Sequence, residues 1–222
     1  SVKANPTYGQ SVITYTGTGA SATVGHGLSS APEALIVKAR DNTTAWRIWW
    51  TGFTGTERLQ LNDSSEKATT NKSWDRTVPP ASFFSLGADT NTNNSSTDYV
   101  AYDFHSVSGY SDFGSYTGTG VAGNTVTTGF EPAFVMIKKT NSFGNWYIYD
   151  NLRGINRLQA DQNDADYSQD NVEFLSDGFE LTSTASGFNG NGSTYIYMAF
   201  ADKREAAFWL DQSGNNNDWT NN

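Results

Sequence analysis

Three sets of side chains in this 222-residue chain are of types that do chemistry. The first is aromatic. Trp49, Tyr147 and Tyr149 fall on the outward side of expected strands, and Trp50 ends one of them. Such rings stack on sugars, whose C–H faces are apolar while their rims need hydrogen-bond partners. Arg47, Asp150 and Arg153 stand close by in sequence to supply those partners. Trp49, Trp50, Tyr147, Tyr149, Asp150 and Arg153 are therefore the candidate glycan or partner contacts. The competing reading is that this face packs against a neighbouring repeat or subunit, because tandem units bury otherwise open faces against one another.

The second set is acidic. Asp161, Asp164, Asp166 and Asp170 crowd one stretch, and Asp89 with Asn91, Asn93 and Asn94 forms a smaller one. Calcium takes six to eight oxygens, and Asp/Asn-rich loops can provide them. Neither stretch has the spacing or closing Glu of an EF-hand, so both read as solvated turns with no metal. The third set is His26 and His105, whose counterparts in a second copy of the pattern are Thr128 and Ala201. A general base needs a nucleophile or an orienting carboxylate beside it, and no spacing implies one. Paired glycosidase carboxylates must lie ~5–10 Å apart, which sequence cannot place. No Gly-rich phosphate loop is present. The residues read as non-catalytic and without a cofactor.

The totals narrow the classes further. Charged residues are 17% of the chain and aromatics 14%, with abundant Gly, Asn, Ser and Thr. That mixture suits half-buried strands joined by polar turns. A net charge of −9 and a pI near 4.5, with Lys and Arg scattered singly, speak against nucleic acid or an anionic membrane as partner. There is no cysteine, so neither disulfides nor thiolate chemistry contribute. No apolar run approaches the ~20 residues of a spanning helix. The opening Ser-Val-Lys-Ala-Asn-Pro lacks a signal-peptide apolar region and reads as the interior of a longer polypeptide.

The elements that must position these groups occur twice. Pro32 to Trp50 and Pro132 to Asp150 match at a constant spacing, pairing Lys38 with Lys138, Trp46 with Trp146 and Ile48 with Ile148. A repeat of this kind sets the architecture. Tyr15-Thr16-Gly17-Thr18-Gly19 and Tyr116-Thr117-Gly118-Thr119-Gly120 open the copies as strand-into-turn. Period two then puts Leu35 with Val37, and Val135 with Ile137, on the core side, and points Lys38 and Lys138 away from it. Trp46 and Ile48, matched by Trp146 and Ile148, are expected to centre two equivalent interiors. Phe84/Leu86 and Phe179/Leu181 should face inward, as should Val100, Tyr102 and Phe104 with Ile196, Met198 and Phe200. Residues 63–80 and 162–171 read as long surface loops. About seven short strands per copy indicate an all-β fold of two tandem antiparallel β-sandwich repeats, jelly-roll or lectin-like. The expected division is 1–107, 108–203, and 204–222 as a linker or the start of a further domain, with a helical turn at 203–207.

Several of these segments resemble a tandem-repeat family of bacteriophage virion proteins found in phages of aquatic bacteria and in metagenomic phage sequences. The likeness is carried by Ala4-Asn5-Pro6, Tyr15 to Gly19, Val24-Gly25-His26-Gly27-Leu28 and Gly109 to Tyr116. It continues through Gly129 to Lys138, Gly144 to Asp150 and Thr194 to Ala201. Leu210 to Trp219 is similar to the start of the concanavalin-like (laminin-G-like) domain that follows such repeats. Trp49-Trp50 departs from the pattern, which has a Tyr and a polar residue there. The resemblance implies a structural protein of a tail fibre, spike or appendage, located at the virion surface. Its implied partners are other virion proteins and its own copies (such fibres are commonly trimeric); the aromatic candidates add a host surface glycan, and charge and hydropathy speak for no nucleic acid and no membrane insertion. A carbohydrate-binding adhesin is the alternative function, and a polysaccharide depolymerase a third.

Overall fold

A computed structural model describes residues 1–154, 156–169 and 171–202. The helical turn expected at 203–207 and the further domain expected from 204 lie outside the described residues. The first half contributes β1 (Val2–Asn5), β2 (Gln10–Thr16), β3 (Ala22–Gly25), β4 (Ala34–Ala39), β5 (Arg47–Trp50), β6 (Glu57–Gln60), β7 (Ala68–Thr69), β8 (Phe83–Leu86), the single-turn helix α1 (Thr90–Asn93) and β9 (Asp98–Phe104). The second half contributes β10 (Ser111–Thr117), β11 (Asn124–Thr127), β12 (Phe134–Lys139), β13 (Trp146–Asp150), β14 (Asn156–Gln159), β15 (Tyr167–Ser168), β16 (Val172–Leu175), β17 (Gly178–Leu181) and β18 (Thr194–Phe200). All pairings are antiparallel, and the fold is an all-β sandwich.

Each half joins one large sheet to one small one. The large sheets run β1-β2-β9-β4-β5-β6-β7 and β10-β18-β12-β13-β14-β15; the small ones are β3-β8 and β11-β17-β16. Apart from β1 and β16, the two halves use the same strand order, as the repeated sequence requires.

Successive side chains alternate across a strand, and here both faces of each large sheet are covered. One face looks at the small sheet of its own half. In the second half this interior joins Val135, Ile137, Tyr149, Tyr195 and Ala199 to Phe179 and Leu181. The other faces meet each other. Ile36, Ile48 and Trp50 belong to the same apolar cluster as Phe113, Met136, Trp146, Ile196 and Met198 of the other half. Phe104 stacks on Phe113 with centroids 5.6 Å apart, and Trp50 lies 5.9 Å from Phe113.

This arrangement corrects the expectation of two separate Trp/Ile-centred interiors. Trp46, Ile48, Trp146 and Ile148 sit on the face the halves share. So do Val100, Tyr102 and Phe104 and their counterparts, while Tyr99 and Ala101 fill the inner side. Lys38 and Lys138 do point away from the inner core, but Lys138 points into the joint and is fully buried. Its Nζ donates to Gly144 O (2.5 Å) in its own half and to Ser64 O (3.0 Å) in the other. The indole N–H groups of Trp50 and Trp146 cross the joint too, to Gly114 O (3.1 Å) and Gln60 O (2.8 Å). A buried Trp removes roughly 150–250 Å² from water, worth on the order of 5 kcal/mol at ~25 cal/mol per Å². The two indoles are therefore major fasteners of the joint.

The stretches expected as surface loops are partly interior. Residues 63–80 contain β7, and they bury Ser73 and Trp74 completely, with Trp74 Nε1 donating to Glu57 O (3.1 Å). Residues 162–171 contain β15 and end on the buried Asn171.

Candidate functional site

The aromatic candidates are not sugar platforms on the surface. Trp50 is 0% exposed, Tyr149 1%, Trp49 3% and Tyr147 9%. The expectation fails because it treats each large sheet as having one free face. Trp49, Tyr147 and Tyr149 instead lie beneath their own small sheets and loops, with Tyr147 and Tyr149 against Phe188 at 4.2 and 5.9 Å. Trp50 packs against the other half, the outcome the competing reading anticipates. Of the six candidates, Asp150 and Arg153 remain at the surface as a partly exposed pair, Nε to Oδ2 2.6 Å.

The polar residues that recur in both copies form a buried fastener that the sequence alone does not reveal. Asn93 accepts from Thr18 N (2.8 Å) and donates to Ala20 O (2.6 Å) and Gly87 O (2.9 Å). Asn189 repeats this with Thr119 N (2.8 Å), Val121 O (2.7 Å) and Ser183 O (3.1 Å). Around each amide two tyrosines stack, Tyr15 on Tyr99 at 5.2 Å and Tyr116 on Tyr195 at 4.9 Å. Their hydroxyls donate to loop carbonyls, Tyr15 to Thr92 O and Tyr116 to Phe188 O. A Cβ at Gly17 or Gly118 would come within 2.2 or 2.3 Å of a backbone oxygen of the facing loop. The Tyr-Thr-Gly-Thr-Gly motif is thus explained by close approach and a shared amide. The available signal is the Asn-rich stretch after Asp89, which pattern reading takes only for a solvated turn.

The histidines are engaged in the backbone. His26 is fully buried; its Nδ1 accepts from Leu28 N (3.1 Å) and its Nε2 faces Pro80 O (3.1 Å). Burial holds its pKa below the ordinary value. His105 lies between Ser106 O (2.9 Å) and Ser29 Oγ (3.4 Å).

A half-buried carboxylate and a fully buried one contrast. Burial alone would raise Asp89, but Ser73, Asn91 and Arg47 hold its pKa below the ordinary value. It bonds Ser73 Oγ (2.5 Å) and lies 3.4 Å from Arg47 Nε, while Arg47 also reaches Gln60. Asp103 has no such company. It is 0% exposed, neither oxygen has a hydrogen-bond partner, and burial pushes its pKa well above the ordinary carboxylate range. In the second half Arg47 is replaced by Tyr147, and Arg157 lies over the rings of Tyr147 (4.8 Å) and Phe188 (5.3 Å).

Among the described residues, no three His, Cys, Asp or Glu are placed to hold a metal ion. Asp164 and Asp166 are exposed, and Asp170 of the same expected cluster lies outside the described residues. Also among the described residues, no helix is long and apolar enough to cross a membrane.

One concavity adjoins the surviving candidates. A cavity of about 430 Å³ is lined by Tyr149, Asp150, Asn151 and Gly154 on one side and Val172, Glu173 and Phe174 of β16 on the other. The β13–β14 turn that forms its rim is built on Asp150, whose Oδ1 accepts from Leu152 N (3.2 Å) and Arg153 N (3.0 Å). The sequence reading missed β16 because its alternation, Val172 and Phe174 against Glu173, is too short to stand out between two polar stretches.

Comparison with curated proteins finds no match, and neither does comparison with solved structures. A family model does match, across residues 1–204. On that match the chain belongs to the family described as "Domain of unknown function (DUF7483)".

Proposed function

We propose that this chain is a non-catalytic structural module of a bacteriophage virion, part of a fibre, spike or surface appendage exposed at the particle surface. The observation that supports this reading is the shared apolar face. Two copies of one unit are joined through Trp50, Phe113 and Trp146 into a single cluster, with a buried lysine bonded to both. Such a joint holds two units at a fixed angle, which suits an element that extends or decorates a particle. The likeness of the repeated segments to phage appendage proteins supplies the setting, with other virion proteins and further copies of the chain as partners. Antibodies raised against residues 1–202 should label appendages on purified particles in electron micrographs. Labelling absent from intact particles but present in the soluble lysate would overturn the assignment.

A second reading, contact with a host surface glycan, is favoured by the cavity beside Asp150. An adhesin should retain soluble host polysaccharide without releasing reducing ends; their release would instead mark a depolymerase.

A further inference from the structure

We propose that the cavity between the β13–β14 turn and β16 is a binding site for the ring of a neutral sugar, which deepens the glycan reading above. Its volume of about 430 Å³ lies within the roughly 300–1,000 Å³ of small-molecule sites. The half-buried Phe174 presents the apolar wall, and the buried Tyr149 and Val172 close the cavity beneath it with little surface of their own. An aromatic or aliphatic surface of this kind accepts the C–H face of a pyranose. Asn151 and Glu173 stand exposed at the rim, able to meet hydroxyls.

Charge selects among ligands. The Asp150 carboxylate is consumed by two backbone N–H groups and Arg153. Glu173 makes no salt bridge among the described residues, so the cavity carries an uncompensated acceptor. That disfavours sialic and uronic acids and favours donors from neutral hydroxyls. A bare cation is poorly served, since calcium wants six to eight oxygens and no three acidic or imidazole groups converge among the described residues. A spare acceptor lies close by. Asn171 is 1% exposed, donates to the Tyr149 hydroxyl (3.4 Å), and leaves its Oδ1 without a partner.

In the first half the equivalent turn, β5–β6, is covered by the chain itself. There the connection after β7 crosses the β5–β6 turn so closely that a Cβ on Gly55 would lie 2.2 Å from Arg76 C and Thr77 N. That connection also carries Trp74, whose indole N–H donates to Glu57 O at the start of β6. The first copy covers its turn with chain; the second has the cavity beside its own.

The test is saturation-transfer NMR on the whole 222-residue chain. The probes are methyl glycosides of glucose, galactose, mannose and N-acetylglucosamine, with methyl glucuronide as the anionic comparison. At least one neutral glycoside should bind, more tightly than the glucuronide. Its affinity should fall about tenfold or more, ~1.4 kcal/mol, in Phe174→Ala and in Glu173→Gln. Glu173 is exposed, so its variant keeps the test valid should Phe174→Ala unfold. Binding that survives both substitutions overturns this site while leaving the glycan reading standing. No binding by any neutral glycoside overturns the site, and failure to retain any host polysaccharide as well sinks the glycan reading with it.

Discussion

Replacing Asp103 by alanine should make the protein more stable, a rare outcome for a fully buried residue. The carboxyl group has no hydrogen-bond partner and is entirely enclosed. A buried polar group left unpaired costs about 1–3 kcal/mol. Deleting it opens a space of roughly 25–30 Å³, which at ~24 cal/mol per Å³ costs back about 0.7 kcal/mol. The net is a gain on the order of 1 kcal/mol, or about 2–4 °C in Tm for a chain of this size. The second half supplies a precedent, since the residue in the corresponding place is Ala199. The pH dependence gives the diagnostic. Burial raises the folded-state pKa above its ordinary 3.8, so the folded protein holds a proton that the unfolded chain releases. Stability from that proton is complete below pH 3.8 and drains away as pH rises toward the folded pKa, at up to ~1.4 kcal/mol per unit. The advantage of Asp103→Ala over the parent should therefore widen from about pH 4 upward in urea titrations. Asp103→Asn, which cannot titrate, should remove the slope while keeping an unpaired amide. A parent-minus-variant difference that is flat with pH, or a loss beyond 1 kcal/mol at pH 7, would refute the reasoning.

The other predictions concern the joint and the fasteners. Burial pushes Lys138 down to about 8 from 10.5, so between those pH values the unfolded chain holds more protons and stability rises with pH. Relative to Lys138→Met, the parent should gain up to about 3 kcal/mol over that window in denaturant titrations; parallel curves would contradict the buried placement. Asn93→Ala and Asn189→Ala should each cost about 2–4 kcal/mol, because every loop group the amide serves is left unpaired inside, with a cost under 1 kcal/mol counting against the fastener. Residues 108–202 produced alone should aggregate or bind a hydrophobic dye, since they would uncover Met136, Trp146 and Met198; a monomeric, cooperatively unfolding half would show the joint to be dispensable.

The sequence carried the fold class because it rests on period two, a local signal. Phe84, Leu86, Phe179 and Leu181 are all fully buried, as their alternation implies. What alternation cannot convey is how many layers a sheet lies between. Arg47-Ile48-Trp49-Trp50 reads as an inward and an outward pair, yet all four residues are buried. The run of large residues at Trp49-Trp50 was the available clue, since strands covered on both sides become near-continuously apolar. The cavity was illegible for another reason: its lining comes from a turn and from β16, brought together only by the tertiary fold.

Divergence between the copies follows the same logic of compensated burial. Where the first half pairs Ile13 with Ala101, the second pairs Gly114 with Tyr197. A Cβ on Gly114 would lie 2.6 Å from the Tyr197 hydroxyl, so the large ring and the missing side chain require each other. Two register positions along, Ser11 opposite Asp103 becomes Asp112 opposite Ala199. The carboxyl has moved across to the neighbouring strand, where the Tyr197 hydroxyl donates to it at 2.5 Å. The two exchanges are therefore coupled: the ring that Gly114 admits partners the acid that the first half leaves alone. It follows that Asp103→Ala alone should stabilise, whereas Asp112→Ala should destabilise by stranding a buried tyrosine hydroxyl. One polar group in two settings then yields opposite signs, because burial costs a polar group only what its partners fail to return.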